Sequence, residues 1–338
     1  MGGLARKATI IDQEKLDSSN VLVFDSGDLF FLEDTKHNDE NRKIHAKIIA
    51  ESYKNMGCNA ISPGERDFKE LGLSYLKELK DIGQLKFTSC NIYDSSKENR
   101  IFDEYGSATI NGYNITFIGA SSVFLNEELY IREPISDIKN TLSKVSIDSD
   151  FIILLFNGTE KDLDRIQESD LDIDMILYSR KDGKFNSRAS TDGGKKRIPA
   201  ITSGNRGKYM NKISVSINGE SSEFVDLSAA ESKIRSSKKY LDNKRKNAPG
   251  TDLHEIYKDN TQILKDIKYH ESKISSSEKK INEAVQRFKT EKIALNEKVD
   301  SKPEVLLIVD SGMSKIIKGP PDSKGRDSSH PHHGHNHD

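Results

Sequence analysis

Short apolar runs alternate with helix-compatible segments over the first 226 residues. The strand-like runs lie at residues 21–24, 59–62, 85–89, 151–156 and 175–178. Between them, residues 41–56 and 71–82 space their apolar positions as amphipathic helices do. This alternation predicts βαβ units and a sheet that contains parallel strands.

Two Asn-Gly pairs predict β-hairpins within this part of the chain. One lies at the centre of residues 107–120 and the other, Asn218-Gly219, lies within residues 208–227. Asn-Gly is the preferred pair for a tight turn between antiparallel strands. Hairpins added to βαβ units predict an α/β fold, a layered α/β/β/α sandwich with mixed sheets, over residues 1–227.

The pattern becomes charged and helical over residues 228–299, with a break at residues 247–250. This predicts a helical hairpin. In its second helix an apolar residue recurs every seventh position, at Ile267, Ile274, Ile281, Phe288 and Leu295. The intervening positions are weak core formers, so the seam is a weak coiled coil. It predicts either a solvated hairpin that packs on the main domain or on itself, or a surface for a protein partner or self-association.

The C-terminal segment divides into two parts. Residues 300–318 contain an apolar run at 305–309 that predicts a return strand. Residues 319–338 are polar and predict a disordered tail. Five histidines of this tail are candidate metal ligands: His330, His332, His333, His335 and His337. The tail either captures Zn, Ni or Cu, binds metals without a biological role, or is a cloning remnant.

Charge and composition exclude several classes of protein. The 52 Lys and Arg residues nearly balance 54 Asp and Glu residues, which argues against nucleic acid or an anionic membrane as the partner. The chain as written contains no run of about 18 apolar residues and no leader pattern. Taken alone, this predicts a cytoplasmic protein. Two cysteines supply neither a disulfide framework nor a zinc-ribbon motif.

Polar clusters follow the predicted strands, at the edge where a parallel sheet places functional groups. They begin at Asp25, Gly64, Cys90, Asn157 and Ser179. Five clusters would therefore face one cleft.

Several segments resemble the 5'-nucleotidase-type metallophosphoesterases in order and spacing. They are GGLARKATIID, VLVFDSGDLF, NMGCNAISPGERDF, DFIILLFNGTEKDL and IPAITSGNRGKYMNKISVSIN, which together span residues 2–227. The resemblance implies the layered fold and a dinuclear metal site that clamps a phosphate ester and activates water.

Carried over residue by residue, the resemblance leaves few metal ligands in place. Asp28 matches the bridging aspartate, whereas Glu65 and Arg66 replace an Asn ligand and a His. Asn157 stands where a ligand His is normal. Arg180 and Asp182 replace a Gly-His-x-His motif. Glu65, Asp67 and Asp182 could offer oxygen ligands to a hard ion, so the candidate cofactor is a divalent metal at this altered site or at the tail histidines.

Two arginines in the cleft change its expected chemistry. At 4 Å, a guanidinium and a divalent ion repel each other by roughly 8 kcal/mol at an effective dielectric constant near 20. Arg66 and Arg180 therefore predict either a bound anionic or phosphate-bearing ligand, or ion pairs with Glu65, Asp67 or Asp182 that leave the cleft inert.

The opening segment predicts a truncated start. In the resembled family a strand ending in Asp-x-His precedes Gly-Gly-Leu-Ala, which here begins at Gly2. The GERDF variant is most similar to a bacterial branch that includes selenocysteine-containing members. A missing upstream segment would carry a signal peptide and place the protein in the cell envelope or periplasm.

The cysteines are candidates for redox chemistry. Cys58 and Cys90 are expected to lie roughly 15 Å apart at opposite sheet edges and not to form a disulfide. Cys90, at the predicted cleft edge, is either a reactive thiol or a buried packing residue, and Cys58 is expected to be structural.

These features together predict a degenerate metallophosphoesterase-like protein. It would act as a non-hydrolytic binding, redox or scaffolding component. The enzymatic alternative is a metal-dependent phosphoesterase that uses Asp28, Asp67 and unorthodox ligands. The candidate catalytic residues are Arg66, Asp67 and Cys90.

Overall fold

The computed structural model describes residues 3–18, 20–31, 39–69, 71–180, 191–192, 195–196, 198–204, 207–218, 224–246 and 250–316. The described helices are α1 Gly3–Asp17, α2 Asp39–Met56, α3 Glu65–Lys69, α4 Gly72–Gly83, α5 Pro134–Val145, α6 Glu160–Glu168, α7 Leu227–Arg245, α8 Leu253–Ile256, α9 Thr261–Glu283 and α10 Pro303–Met313. The described strands are β1 Phe24–Asp25, β2 Ala60–Ile61, β3 Ile92–Asp94, β4 Tyr105–Ile110, β5 Tyr113–Ser121, β6 Leu129–Ile131, β7 Phe151–Gly158, β8 Met175–Arg180, β9 Thr191–Asp192, β10 Lys195–Lys196, β11 Ala200–Ile201, β12 Tyr209–Ser216, β13 Val225–Asp226 and β14 Arg287–Ala294.

A five-stranded mixed sheet forms the larger part of the α/β region. Its order is β11-β8-β7-β5-β4, and only β4 runs antiparallel to its neighbour. All eight residues of β7 are buried, as its uninterrupted apolar sequence predicts for a central parallel strand. The expected strands at residues 151–156 and 175–178 are therefore confirmed.

A smaller sheet begins with β1, which pairs in parallel with β2. The next predicted strand, residues 85–89, contributes only isolated bridges, from Phe87 to Ile61 and from Thr88 to Asp103. Helices α1, α2, α4 and α10 share one core cluster with these strands. Helices α5 and α6 pack on the five-stranded sheet instead.

A third apolar cluster lies between the sheets. It contains Ala60 of β2, Phe117 of β5, Leu155 of β7 and Phe288 of β14. Two sheets thus lie between two layers of helices, which confirms the predicted α/β/β/α sandwich with mixed sheets.

The first predicted hairpin is confirmed. Strands β4 and β5 pair antiparallel from Tyr105 opposite Ile118 to Ile110 opposite Tyr113. Asn111 and Gly112 connect them with φ angles of 52° and 85°. Both angles are positive, as a two-residue type I′ turn requires.

Asn111→Ala is expected to lower the free energy of unfolding by about 1 kcal/mol, because alanine lacks the tolerance of asparagine for positive φ. Chemical denaturation followed by circular dichroism measures the change. Asn140→Ala, on the exposed face of α5, is the control and should leave stability unchanged or slightly higher. Equal effects of the two substitutions would contradict this description of the turn.

The second predicted hairpin is wrong. Strands β12 and β13 do not pair with each other, because β14 lies between them, antiparallel to β12 and parallel to β13. The Asn-Gly pair within residues 208–227 is only partly described, since Gly219 lies outside the described residues. Strand β14 begins at Arg287, 71 residues after the end of β12 at Ser216, and no local turn signal predicts such a pairing.

The helical segment also ends earlier than predicted. Helix α9 ends at Glu283, and Phe288 lies in β14, where its side chain is 1% exposed. Ile267 and Ile274 of the seam pack inside the hairpin, in a cluster with Leu241 and Leu253. The first part of the heptad seam is therefore covered by contacts within the hairpin. The expected domain boundaries at residues 227/228 and 299/300 stay predictions.

The predicted return strand within residues 300–318 is a helix. In α10, Val305 and Val309 are buried, and their spacing of four places both on one helical face. Pro303 occupies the first turn, where proline favours a helix start. A short apolar run cannot be assigned to strand or helix by hydrophobicity alone, which explains the error.

Within the described residues, no helix is both long and apolar enough to cross a membrane. The five histidines of the tail lie outside the described residues.

Candidate functional site

The carboxyl ends of β1, β2, β7 and β8 meet at one place. Ser26 Oγ, just after β1, donates a hydrogen bond of 2.8 Å to the carbonyl of Leu177 in β8. Ser179 Oγ of β8 donates a hydrogen bond of 3.2 Å to the carbonyl of Gly27, in the loop after β1. Asn157 of β7 is in register with Ser179. The structure therefore brings the predicted clusters after these strands to one cleft.

Asp67 holds the loop that carries Asp28. Its Oδ2 accepts the backbone N–H groups of Asp28 at 2.8 Å and Gly64 at 2.9 Å. Its Oδ1 accepts those of Leu29 at 2.8 Å and Phe30 at 3.0 Å. The residue is completely buried. Because both oxygens accept backbone N–H groups, Asp67 positions this loop, and the geometry favours that role over the predicted roles as a catalytic group, metal ligand or ion-pair partner of Arg66.

The loop itself needs two unusual backbone conformations. Gly27 has a φ of 88° and Asp28 has a φ of 54°. A Cβ atom at Gly27 would lie 2.2 Å from the carbonyl oxygen of Ser62 and 2.7 Å from the nitrogen of Gly64. Glycine is therefore required at position 27 by both conformation and space.

The surroundings of Asp28 raise its pKa overall, with burial as the largest cause. Its Oδ1 accepts the backbone N–H of Arg66 at 3.0 Å. Burial raises the pKa of Asp28, whereas that N–H group, the guanidinium of Arg66 and the amide of Asn157 lower it. The charge of Glu65 raises it again. Gly64 lies so close to Asp28 and Asn157 that a Cβ atom would come within 2.4 Å of both.

The two neighbouring acids influence each other. Burial and then the Asp28 carboxyl raise the pKa of Asp67 to about 7, while the N–H groups of Gly64, Phe30 and Leu29 lower it. Ionisation of Asp28 therefore disfavours ionisation of Asp67.

A second hydrogen-bonded set supports the same loop from behind. Tyr53 Oη donates to Asp25 Oδ2 at 2.6 Å, and Lys7 Nζ donates to Tyr53 Oη at 2.7 Å. Asp25 Oδ1 accepts the backbone N–H of Gly27 at 3.0 Å. Sequence reasoning missed these contacts, since Lys7 and Tyr53 lie on helices distant in sequence and no motif links them.

The remaining predicted site residues are only partly described. Arg180 ends β8 opposite Gly158, so its backbone reaches the cleft end of the sheet. Its side chain and the whole of Asp182 lie outside the described residues. The structure thus places Asp28, Glu65, Arg66, Asp67 and Asn157 together and leaves the other two candidates as predictions.

Cys90 does not lie at the cleft edge. Its side chain is fully buried, among residues that include Ile118 and Ile138, and burial raises its pKa well above the ordinary range of a thiol. Burial likewise raises the pKa of Cys58 to about 12. Both cysteines are free. A buried neutral thiol is a poor nucleophile, so the structure favours the packing role for Cys90 over the redox role.

The donor set does not fit a dinuclear metal centre. Within the part of the chain that the structure describes, no group of three or more His, Cys, Asp or Glu side chains is placed to hold a metal ion. Of the oxygen donors, Asp67 is occupied by backbone N–H groups, and Asp28 Oδ1 accepts the backbone N–H of Arg66, whose positive charge lowers the pKa of Asp28. A pair of divalent ions needs several carboxylates and imidazoles around a bridging oxygen, which these residues do not supply.

The chain folds as a layered α/β sandwich, and solved structures share this fold. Thermus thermophilus sulfate thiohydrolase SoxB superposes with a TM-score of 0.54 and 17% identity over 64% of this chain and 40% of its own. The precursor of a 5'-nucleotidase, also from Thermus thermophilus, gives 0.51 and 16%, over 64% of this chain and 46% of its own.

Haemophilus influenzae NAD nucleotidase also matches, with a TM-score of 0.51 and 14% identity over 64% of this chain. The chain spans less than half the length of each of these three proteins, from 40 to 48%. No protein-family model and no curated protein matches the sequence. At this level of identity the comparisons establish the fold alone, and the selenocysteine-containing branch stays a prediction.

Proposed function

We propose that this chain is a non-hydrolytic relative of the metallophosphoesterases, whose cleft binds a ligand without cleaving it. The observation that carries the proposal is the environment of Asp28. Its Oδ1 accepts the backbone N–H of Arg66, and burial raises its pKa by more than that bond and the Arg66 guanidinium lower it. A bridging carboxylate of a dinuclear centre would instead face two metal ions.

The charge balance of the cleft supports this proposal. Arg66 is tied to Asp28 by the 3.0 Å hydrogen bond from its backbone N–H to Asp28 Oδ1. Its guanidinium would repel a divalent ion at Asp28, and its backbone is fixed at the start of α3. The fixed positive charge of Arg66 thus takes the place of the metal ions that a dinuclear centre would hold.

We propose further that the ligand is an anionic, phosphate-bearing molecule held by Arg66 and Arg180. Support comes from the position of both residues at the carboxyl ends of strands, after β2 and at the end of β8. Guanidinium groups bind phosphate oxygens through paired, charge-assisted hydrogen bonds. The competing arrangement is an ion-paired cleft that binds nothing.

The enzymatic alternative uses Asp28 with unorthodox ligands to hold a metal that cleaves phosphate esters. It is supported by the fold and by the retained aspartate, and it is opposed by the use of Asp67 as a backbone clamp.

Turnover of an aryl phosphate distinguishes the two functions. We expect no hydrolysis above the buffer rate with Zn²⁺, Mn²⁺ or Mg²⁺ added, and no change with Asp28→Asn or with a chelator. Hydrolysis that disappears in Asp28→Asn and with a chelator would overturn the proposal and establish the enzyme.

Calorimetric titration with inorganic phosphate and with a phosphate monoester tests the ligand. Arg66→Gln should weaken binding roughly tenfold or more, the effect of losing a charge-assisted hydrogen bond. Lys69→Gln, an exposed cation on the same helix, is the matched control and should leave binding unchanged. Absence of binding, or equal losses in both variants, would favour the inert cleft.

The other proposed roles rest on different parts of the molecule. A scaffolding role would use the hairpin of α7 and α9. Ile267 and Ile274 of its heptad seam already pack inside the hairpin, so a partner would contact other positions. A location in the cell envelope stays a prediction.

A further inference from the structure

Three polar side chains form a row across the five-stranded sheet where it reaches the cleft. Ser121 of β5, Asn157 of β7 and Ser179 of β8 are paired residues near the carboxyl ends of these strands. Phe117 and Leu155, earlier on two of the strands, lie in the apolar layer between the sheets. Because side chains alternate along a strand, Ser121 and Asn157 point to that same side. The row therefore lies on the inner face of the sheet.

The middle member of the row, Asn157, lies beside Asp28. A Cβ atom on Gly64 would be 2.4 Å from Asp28 Oδ1 and 2.5 Å from Asn157 Nδ2. Both atoms thus border one small space, which a larger residue than glycine would fill. Burial raises the pKa of Asp28, and the amide of Asn157 is close enough to lower it. The row and the acid therefore belong to one site.

Two members of the row carry buried polar atoms that the described part of the chain does not satisfy. Ser121 is 1% exposed and Asn157 is 4% exposed. Among the described residues, no group forms a hydrogen bond with Ser121 Oγ or Asn157 Nδ2. Buried polar atoms in folded proteins are almost always hydrogen-bonded, and exceptions cluster where a ligand or a water completes the set. Two such atoms side by side at the cleft therefore point to a ligand.

The groups around this space indicate which ligand fits. The amide Nδ2 of Asn157 is a donor, and the hydroxyl of Ser121 can donate as well. Arg66, whose backbone N–H donates to Asp28, adds positive charge. These groups together match the oxygens of an anion.

The carboxyl group of Asp28 restricts the choice of anion. A carboxylate repels an anion that faces it, unless the two share a proton in a hydrogen bond. Hydrogen phosphate and singly protonated phosphate monoesters carry such a proton, whereas sulfate carries none at neutral pH. A site that forms a hydrogen bond with a hydroxyl of its ligand rejects an analogue without that hydroxyl.

We propose that Ser121 Oγ and Asn157 Nδ2 donate hydrogen bonds to a phosphate group whose hydroxyl is accepted by Asp28, so that the cleft selects phosphate and phosphate monoesters over sulfate. The inference rests on the anion-binding function proposed above, to which it adds two binding residues and a selectivity. Arg66 attracts both anions, and Asp28 distinguishes them.

Calorimetric titrations of the full chain with inorganic phosphate and with sulfate, at neutral pH, test the inference. Phosphate should bind at least tenfold more tightly than sulfate. Ser121→Ala should weaken phosphate binding about three- to tenfold, the effect of losing one neutral hydrogen bond. Its melting temperature should not fall, because the deleted hydroxyl has no partner within the described residues. Ser107→Ala, at an exposed serine on β4 of the same sheet, is the matched control and should bind phosphate as the unchanged chain does.

Asp28→Asn isolates the selectivity. Asparagine carries no charge that repels sulfate, and it requires no proton from the ligand. The ratio of the sulfate and phosphate dissociation constants should therefore fall to about one in this variant.

The other possible results separate this inference from the function on which it rests. Phosphate binding that is weakened by Arg66→Gln but not by Ser121→Ala would overturn the inference and leave the anion site in place. Equal affinities of the unchanged chain for phosphate and sulfate would overturn the role of Asp28. No binding of either anion would overturn both the inference and the anion-binding function.

Discussion

Asp67→Asn is expected to lower the free energy of unfolding by about 2 kcal/mol at pH 8, because the loss of two acceptors outweighs the relief of a buried carboxylate whose pKa is raised to about 7. The carboxylate accepts four backbone N–H groups, two at each oxygen, from Asp28, Leu29, Phe30 and Gly64. In asparagine one oxygen becomes an NH₂ group that faces two donors. Those two N–H groups are then buried without an acceptor, and each such loss costs roughly 1 to 3 kcal/mol. Urea denaturation followed by circular dichroism measures the change.

Asp28→Asn is the matched control for this substitution. Asp28 lies beside Asp67, but its Oδ1 accepts a single backbone N–H, from Arg66, and asparagine keeps an oxygen for that bond. Removing its charge also relieves the repulsion that raises the pKa of Asp67. Its effect should stay below about 1 kcal/mol. Equal destabilisation by the two variants would show that Asp67 is not the clamp of this loop.

Gly27→Ala should destabilise the protein by about 3 kcal/mol. A residue other than glycine costs about 1 to 2 kcal/mol at positive φ, and φ is 88° here. The new methyl group would also lie 2.2 Å from the carbonyl oxygen of Ser62, so the loop and the Ser62–Gly64 segment must separate, which adds about 1 to 3 kcal/mol.

Gly112→Ala isolates the contribution of backbone conformation. Gly112 has nearly the same φ, 85°, yet a Cβ atom there would meet no other atom within 4 Å. It should cost only the conformational part, about 1 to 2 kcal/mol. If both alanine variants lose the same stability, the close approach at Gly27 is not the constraint inferred from the structure.

The parts of the fold that follow from local sequence were predictable. The apolar run of β7 is long enough to be recognised as a buried strand, and the Asn111-Gly112 pair encodes the conformation of its own turn. The order of the segments around Asp28 and Asn157 located the cleft, because parallel strands gather their carboxyl ends at one edge.

The parts set by distant contacts were not predictable. Strand β14 inserts between β12 and β13, and its alternating pattern around Phe288 is too short to outweigh a heptad spacing that continues from α9. Helix α10 was mistaken for a strand because its apolar run allows both structures, and only burial of Val305 and Val309 against other helices decides between them.

For the candidate site, the sequence predicted which residue types are present but not which contacts their side chains make. Residue identity alone indicated that Asn157, Glu65 and Arg66 are poor substitutes for the usual metal ligands. It could not show that Asp67 turns both oxygens to the backbone, nor that Cys90 lies in the core. Both facts depend on side-chain direction, which one sequence does not report.

Metal content, measured by mass spectrometry on protein lacking residues 330–338 after exposure to Zn²⁺ and Mn²⁺ and exhaustive dialysis, tests the central claim most directly. Removal of those residues keeps metal bound by the histidines out of the measurement. The environment of Asp28 predicts far less than one metal ion per chain, with no difference in Asp28→Asn. Near-stoichiometric metal that is lost in Asp28→Asn would contradict the account and restore a metal centre at Asp28.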